Sequence, residues 1–82
     1  MKLVEFTENL VKAIVREPDM VKVQEFGTDE EQTCILEIIV ADADMGTVIG
    51  KGGKMAGALR TLVQAHAYLN DNKKVRINID SF

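Results

Sequence analysis

Apolar positions in the first sixteen residues recur at helical spacing. Leu3, Phe6, Leu10, Val11, Ile14 and Val15 share one side, and Glu5, Glu8, Lys12 and Arg16 fall mostly on the other, which predicts an amphipathic helix over 3–16. Thr7 is suited to cap a shorter version of it. Pro18 marks the stop, because the residue before a proline is pushed out of helical geometry. The period then changes to two. Val21 and Val23 alternate with Lys22 and Gln24, and Phe26 breaks phase, so 20–26 reads as an edge strand with an irregular end. Gly27-Thr-Asp-Glu-Glu-Gln is an acidic turn. Residues 33–41 carry the strongest strand pattern, with Cys34, Leu36, Ile38 and Val40 on one face. Ile35 and Ile39 flank Glu37 on the other, which predicts a central strand partly covered on both sides.

Asp42-Ala-Asp44 is a helix-start signal in which Asp44 is the better N-cap. A short helix is expected over Met45–Ile49, then a glycine-rich loop, then a longer helix over 54–68 with Leu59, Leu62, Val63 and His66 on one stripe. After the turn Asn70-Asp-Asn-Lys, the residues Val75, Ile77 and Ile79 alternate with polar neighbours as a final strand. The order is α-β-β-α-loop-α-β.

Eighty-two residues predict one domain, with one cysteine and therefore no internal disulfide. Cys34 lies in an apolar run, as expected of a buried small hydrophobe, and its isolation fits a reducing cytoplasm. No stretch resembles an address or a membrane anchor, so a soluble, intracellular, cytoplasmic chain is expected.

The net charge of −3 argues at first against a nucleic-acid partner, but the charges are not evenly spread. Residues 1–45 hold eleven acids against four bases, whereas residues 46–82 hold six bases against Asp71 and Asp80. No acid occurs from 46 to 70. The local field around the glycine loop is therefore positive, and local field outweighs the total for a small anion.

That loop, Gly46-Thr-Val-Ile-Gly-Lys-Gly-Gly-Lys54, holds four glycines in nine residues. Its composition suits close approach of backbone N–H groups to a phosphate, with Lys51 and Lys54 beside them. Spacing excludes two kinds of phosphate loop. Gly46 and Gly50 are separated by three residues where a P-loop needs four, and Gly52 stands where its Ser or Thr would follow the lysine. A dinucleotide fingerprint begun at Gly50 and Gly52 would place its third glycine on Met55, without the βαβ context. What remains is G-x-x-G between two helices, filled by Gly50-Lys51-Gly52-Gly53.

In the longer run Val48-Ile49-Gly50-Lys51-Gly52-Gly53-Lys54, preceded by a helix and two strands, this resembles the KH domain of single-strand RNA-binding proteins. The resemblance covers nearly the whole chain and is closest to small stand-alone bacterial KH proteins of the KhpA type, which are similar also in Arg60-Thr-Leu-Val and in Val75-Arg-Ile-Asn-Ile-Asp. It implies an α+β type II KH fold, α-β-β-α-α-β, whose three-stranded sheet is covered on one face by helices. It further implies a homodimer, a heterodimer with a larger KH-containing partner, and a role resembling RNA chaperoning or post-transcriptional regulation. One position departs from the pattern. KH domains commonly carry a bulky aliphatic residue three positions after the last loop glycine, where this chain has Ala56, which predicts shallower local packing.

The expected RNA site comprises Val48, Ile49, Gly50, Lys51, Gly52, Gly53, Lys54 and Arg60. Gly50 and Gly53 serve backbone conformation, Gly52 close approach, Lys51 a phosphate contact, and Lys54 and Arg60 the field. Ile49 and Val48, with Val40, are expected to line an apolar groove for bases, although core burial suits Val48 and Val40 equally. Aromatic content of 5% excludes base stacking on an aromatic sheet. His66 has no sequence-near partner and reads as packing or surface, and the acids at 29–31 as a solvated turn. No metal, cofactor or enzymatic chemistry is expected. The rival class is a protein–protein adaptor working through the 54–68 helix. A weaker rival is a phosphoryl enzyme dependent on magnesium.

Overall fold

The computed structural model describes residues 1–82. Helix α1 spans Leu3–Lys12, strands β1 and β2 span Lys22–Gly27 and Thr33–Val40, helices α2 and α3 span Met45–Ile49 and Lys54–Asp71, and strand β3 spans Lys74–Ser81. Short 3-10 turns at Pro18–Met20, Asp42–Asp44 and Lys51–Gly53 join them. The predicted order holds.

Helix α1 ends four residues before the expected boundary. The Ala13 and Ile14 amides still donate to Asn9 and Val11, but those of Arg16 and Glu17 turn away to the Asp44 carboxylate, at 3.0 and 3.1 Å. Pro18 holds Glu17 at φ −119° and ψ 74°, outside helical space. Ile14 and Val15 nevertheless stay packed against the core. Thr7 caps nothing. It is fully buried in mid-helix, where its hydroxyl donates to the Leu3 carbonyl at 2.8 Å.

The sheet runs β1-β2-β3, with β1 antiparallel and β3 parallel to β2. A parallel pair needs a crossover, and α2, the glycine loop and α3 supply it. The helices cover one face only. Cys34, Leu36, Ile38 and Val40 enter the core on that face with Val23, Ile77, Val11, Leu59 and Val63. On the other face Ile35, Glu37 and Ile39 are half-buried although no helix packs there. Their shelter comes from cross-strand neighbours such as Phe26 and Arg76, both paired with Ile35, so the expected cover on both sides is a property of central position. Pairing of β1 with β2 is unbroken from Lys22↔Ile39 to Gly27↔Cys34. Phe26 is out of phase with Val21 and Val23 as expected, an exposed apolar residue on the open face, but the strand end is regular.

In α3 the buried stripe is Ala56, Leu59, Val63 and Ala67. Leu62, expected on that stripe, is 49% exposed, and helical geometry turns it about 100° from Val63. His66 packs as expected, its ring stacked on Phe6 with centroids 4.3 Å apart, which joins α3 to α1. Gln64 closes α3 onto β3. Its amide nitrogen donates to the Lys73 carbonyl at 2.9 Å and its oxygen accepts the Val75 N–H at 3.0 Å, as a neighbouring strand would.

Candidate nucleic-acid interface

Helix α2 has only five residues, too few to be stable alone, so its position depends on what anchors it. One anchor is Val48, which is completely buried in the core. Met45, half-buried, packs against the same core, and Asp44, 1% exposed, adds a polar tie in which its carboxylate accepts the Arg16 and Glu17 amides. Asp44 thus stands at the N-cap position read from the sequence, but its side chain does not cap the helix. Asp44 has helical φ and ψ and makes no side-chain cap bond to α2, because both its oxygens face the exit of α1.

The loop that follows turns on positive φ. Gly50 lies at φ 78° and ψ 172°, a region essentially reserved for glycine. A Cβ added there would also lie 2.6 Å from the Met55 Cβ and 2.7 Å from the Met55 nitrogen. Gly50 is thus fixed by conformation and by contact together. Gly52, at φ 63° and ψ 20°, is left-handed but has nothing within 4 Å of an added Cβ, so the space above it is open. Gly53, at φ 78°, opens α3.

Several loop amides are already engaged. Those of Gly50, Gly53 and Lys54 donate to the carbonyls of Gly46, Gly50 and Lys51. Fewer N–H groups converge on an outside point than the glycine content suggested. The field compensates. Helix α3 is 18 residues long and begins without a side-chain cap, so its positive end is open at the loop. Lys51 and Lys54 are exposed there, and neither belongs to an ion pair; the two ion pairs of the structure are Lys12–Glu8 and Lys73–Glu25.

The remaining expected residues divide. Val48 and Val40 are both completely buried, so neither lines a groove; they support the loop and its strand from beneath. Ile49 is half-buried and stays beside the loop. Arg60 stands about 9 Å further along α3 than Lys54 and is rotated about 120° from it. It lines an open cavity of ≈ 490 Å³ with Thr61, Gln64, Ala65, Tyr68 and Val75, between α3 and β3. Ala56, the departure from the KH pattern, is 3% exposed within the first turn of α3.

Three contributors carry no signal in the sequence pattern: Met55 against Gly50, Gln64 against β3, and the Asp44 tie to α1. The last joins residues 27 and 28 positions apart and leaves no local trace.

Comparison with known proteins agrees with this geometry. A family model described as "KhpA/KhpB, KH domain" matches residues 4–79. RNA-binding protein KhpA of Caldanaerobacter subterraneus subsp. tengcongensis is 45% identical over 75 residues, which covers 92% of this chain and 96% of that protein. RNA-binding protein KhpA of Clostridium acetobutylicum is 46% identical over 72 residues, covering 88% and 92%. Among solved structures, a point variant of Aquifex aeolicus Era bound to GDP.AlF4- superposes with a TM-score of 0.70 at 18% identity. That match covers 98% of this chain and 30% of the Era chain, and it bears on the fold alone. By the residues matched and by the relatives that share nearly its full length, the chain belongs to the KhpA/KhpB KH-domain family.

Proposed function

We propose that residues 1–82 form one KH domain that grips short single-stranded RNA across the Gly50–Gly53 loop. The observation that carries this reading is the exposed, positive-φ loop with unpaired Lys51 and Lys54 at the uncapped start of α3. The relatives, named RNA-binding proteins, support the ligand class. Lys51 and the tip amides of Lys51 and Gly52 hold a phosphate, Lys54 and Arg60 add field, and Ile49 offers an apolar edge to a base. The domain acts by binding and not by catalysis, in a cytoplasmic role of RNA chaperoning or post-transcriptional regulation.

A site of about four nucleotides binds weakly, and pairing two such sites raises avidity without new contacts. The outward stripe of α3, Ala58, Leu62, Ala65 and Leu69, is the proposed homodimer face, with Leu62 49% and Leu69 85% exposed. The same face suits a larger KH-containing partner. It also favours the second reading, a protein–protein adaptor in which the loop matters little.

One double variant separates the two. In Lys51→Asp with Gly52→Asp, the open space above Gly52 and the tolerance of Asp for left-handed φ preserve the fold. The expected outcome is lost RNA crosslinking with circular dichroism and dimer mass unchanged. Unchanged RNA binding would leave the adaptor. In the wild type, two to four phosphate contacts predict a log–log salt slope of about −1.4 to −2.8.

A further inference from the structure

A buried carboxylate is costly unless hydrogen bonds replace its water. Asp44 is 1% exposed and forms no ion pair; its resolved partners are the Arg16 and Glu17 amides. Those amides belong to the segment that leaves α1, and the carboxylate belongs to the turn that enters α2. The bond pair thus closes the chain across the short helix whose last residue precedes Gly50. With five residues, α2 has almost no stiffness of its own against its surroundings. Val48 and the half-buried Met45 pack it against the core, but apolar contacts are non-directional and leave its orientation to be set by the Asp44 tie.

We infer that Asp44 is a positioning residue for RNA binding: by tying the entry of α2 to the exit of α1, it holds Gly50 against Met55 and so keeps the loop in its gripping shape. This rests on the reading of Gly50–Gly53 as the RNA site. Contact at Gly50 leaves no slack, since even one added carbon there meets the Met55 Cβ and nitrogen. A pivot of α2 has to disturb that contact and the Gly53 bond to the Gly50 carbonyl with it. Asp44 is buried and touches no ligand; its effect on RNA passes through the loop.

The test uses Asp44→Asn, which keeps the shape of the side chain but turns an NH2 group toward one of the two amides. A second variant, Val11→Ala, lowers stability from within α1 without removing either bond to Asp44. Both are measured against a labelled mixed-sequence single-stranded RNA pool, with affinity corrected for the folded fraction. Asp44→Asn is expected to bind about 5-fold or more weakly, within the usual range of site coupling. Its salt slope is expected to be shallower by roughly one single-strand contact, about 0.7. Val11→Ala is expected to keep both wild-type values. Equal behaviour of the two variants would overturn the inference, because the effect would then be stability alone.

Coupling is reciprocal, so the wild type offers a measurement that needs no substitution. Saturating RNA is expected to slow hydrogen exchange at the Arg16 and Glu17 amides; unchanged exchange there overturns the inference even if Asp44→Asn fails to fold. The Lys51→Asp with Gly52→Asp variant keeps the two failures apart. If RNA binding survives it, the loop reading falls; if binding is lost there but normal in Asp44→Asn, only the role of Asp44 falls.

Discussion

The two ends of α3 are built in opposite ways. At the start, Lys51 and Lys54 face solvent without acidic partners, no side chain caps the helix, and three glycines hold the chain at positive φ. At the finish, Lys73 pairs with Glu25 at 3.3 Å, Gln64 binds two backbone groups of the adjoining strand, and Asn72 closes the helix in the left-handed conformation. The first end leaves both of its lysines unpaired, and the second ties Lys73 and Gln64 to partners. Polar groups that a fold could pair but does not are available to a ligand. The contrast also assigns costs. Damage to the first end should show mainly in binding, and damage to the second mainly in stability.

Gly50 is the place where that separation ought to fail, and it carries the largest expected effect. Gly50→Ala combines a backbone region closed to alanine, at about 1–3 kcal/mol, with a clash against Met55. A loss of about 2–4 kcal/mol is a large share of the stability of a chain this size. Thermal melting should fall sharply and RNA binding should go with it. A Gly50→Ala protein that melts like the wild type would mean that the loop relaxes freely, and the open end of α3 would not be preorganised.

Gln64→Leu addresses the other end. It strands the Val75 N–H and the Lys73 carbonyl, whose bonds to Gln64 are part-buried, at a cost of about 1–3 kcal/mol. Urea unfolding should register that loss while the salt slope of RNA binding stays as in the wild type. A changed slope would show that the two ends communicate along α3.

This division of labour is unevenly legible in the sequence. Strands, their inner faces and the position of the loop follow from alternation and from glycine spacing, which are local signals. Gly50, Lys51, Gly52, Gly53 and Lys54 stand out for the same reason. Leu62 is misplaced by periodicity because a helix buried along a narrow stripe exposes residues one step to the side, and apolarity alone does not mark which step. Val48 and Val40 are ambiguous between groove and core until the packing of three helices on one face decides it. Asp44 misleads because a carboxylate before a short helix has two ways to be satisfied. Its actual partners exist only once α1 has folded back beside it.

The smallest expected effect concerns pH and the closed end of α3. Burial, with Glu25 second, pushes the Cys34 thiol above its ordinary value, and the hydrogen bond to Glu25 raises the Lys73 ammonium. Each group therefore holds its proton more tightly in the folded chain than in the unfolded one. Stability from both is complete below the unfolded values, about 8.5 for a thiol and about 10.4 for a lysine, and is lost as pH rises through the raised folded values. The thiol acts first. As pH rises above about 8.5 the melting temperature should begin to decline. In Cys34→Ala the early part of that decline should disappear, with only the Lys73 part left at higher pH. The lysine part is small because the pair is partly exposed and screened by salt. Since no cysteine, and no acid from 46 to 70, lies in the sequence around the open end, RNA affinity should not follow the early decline. If affinity and melting temperature fall together below the lysine range in the wild type but not in Cys34→Ala, then the closed end controls the open one, and the separation drawn along α3 is wrong.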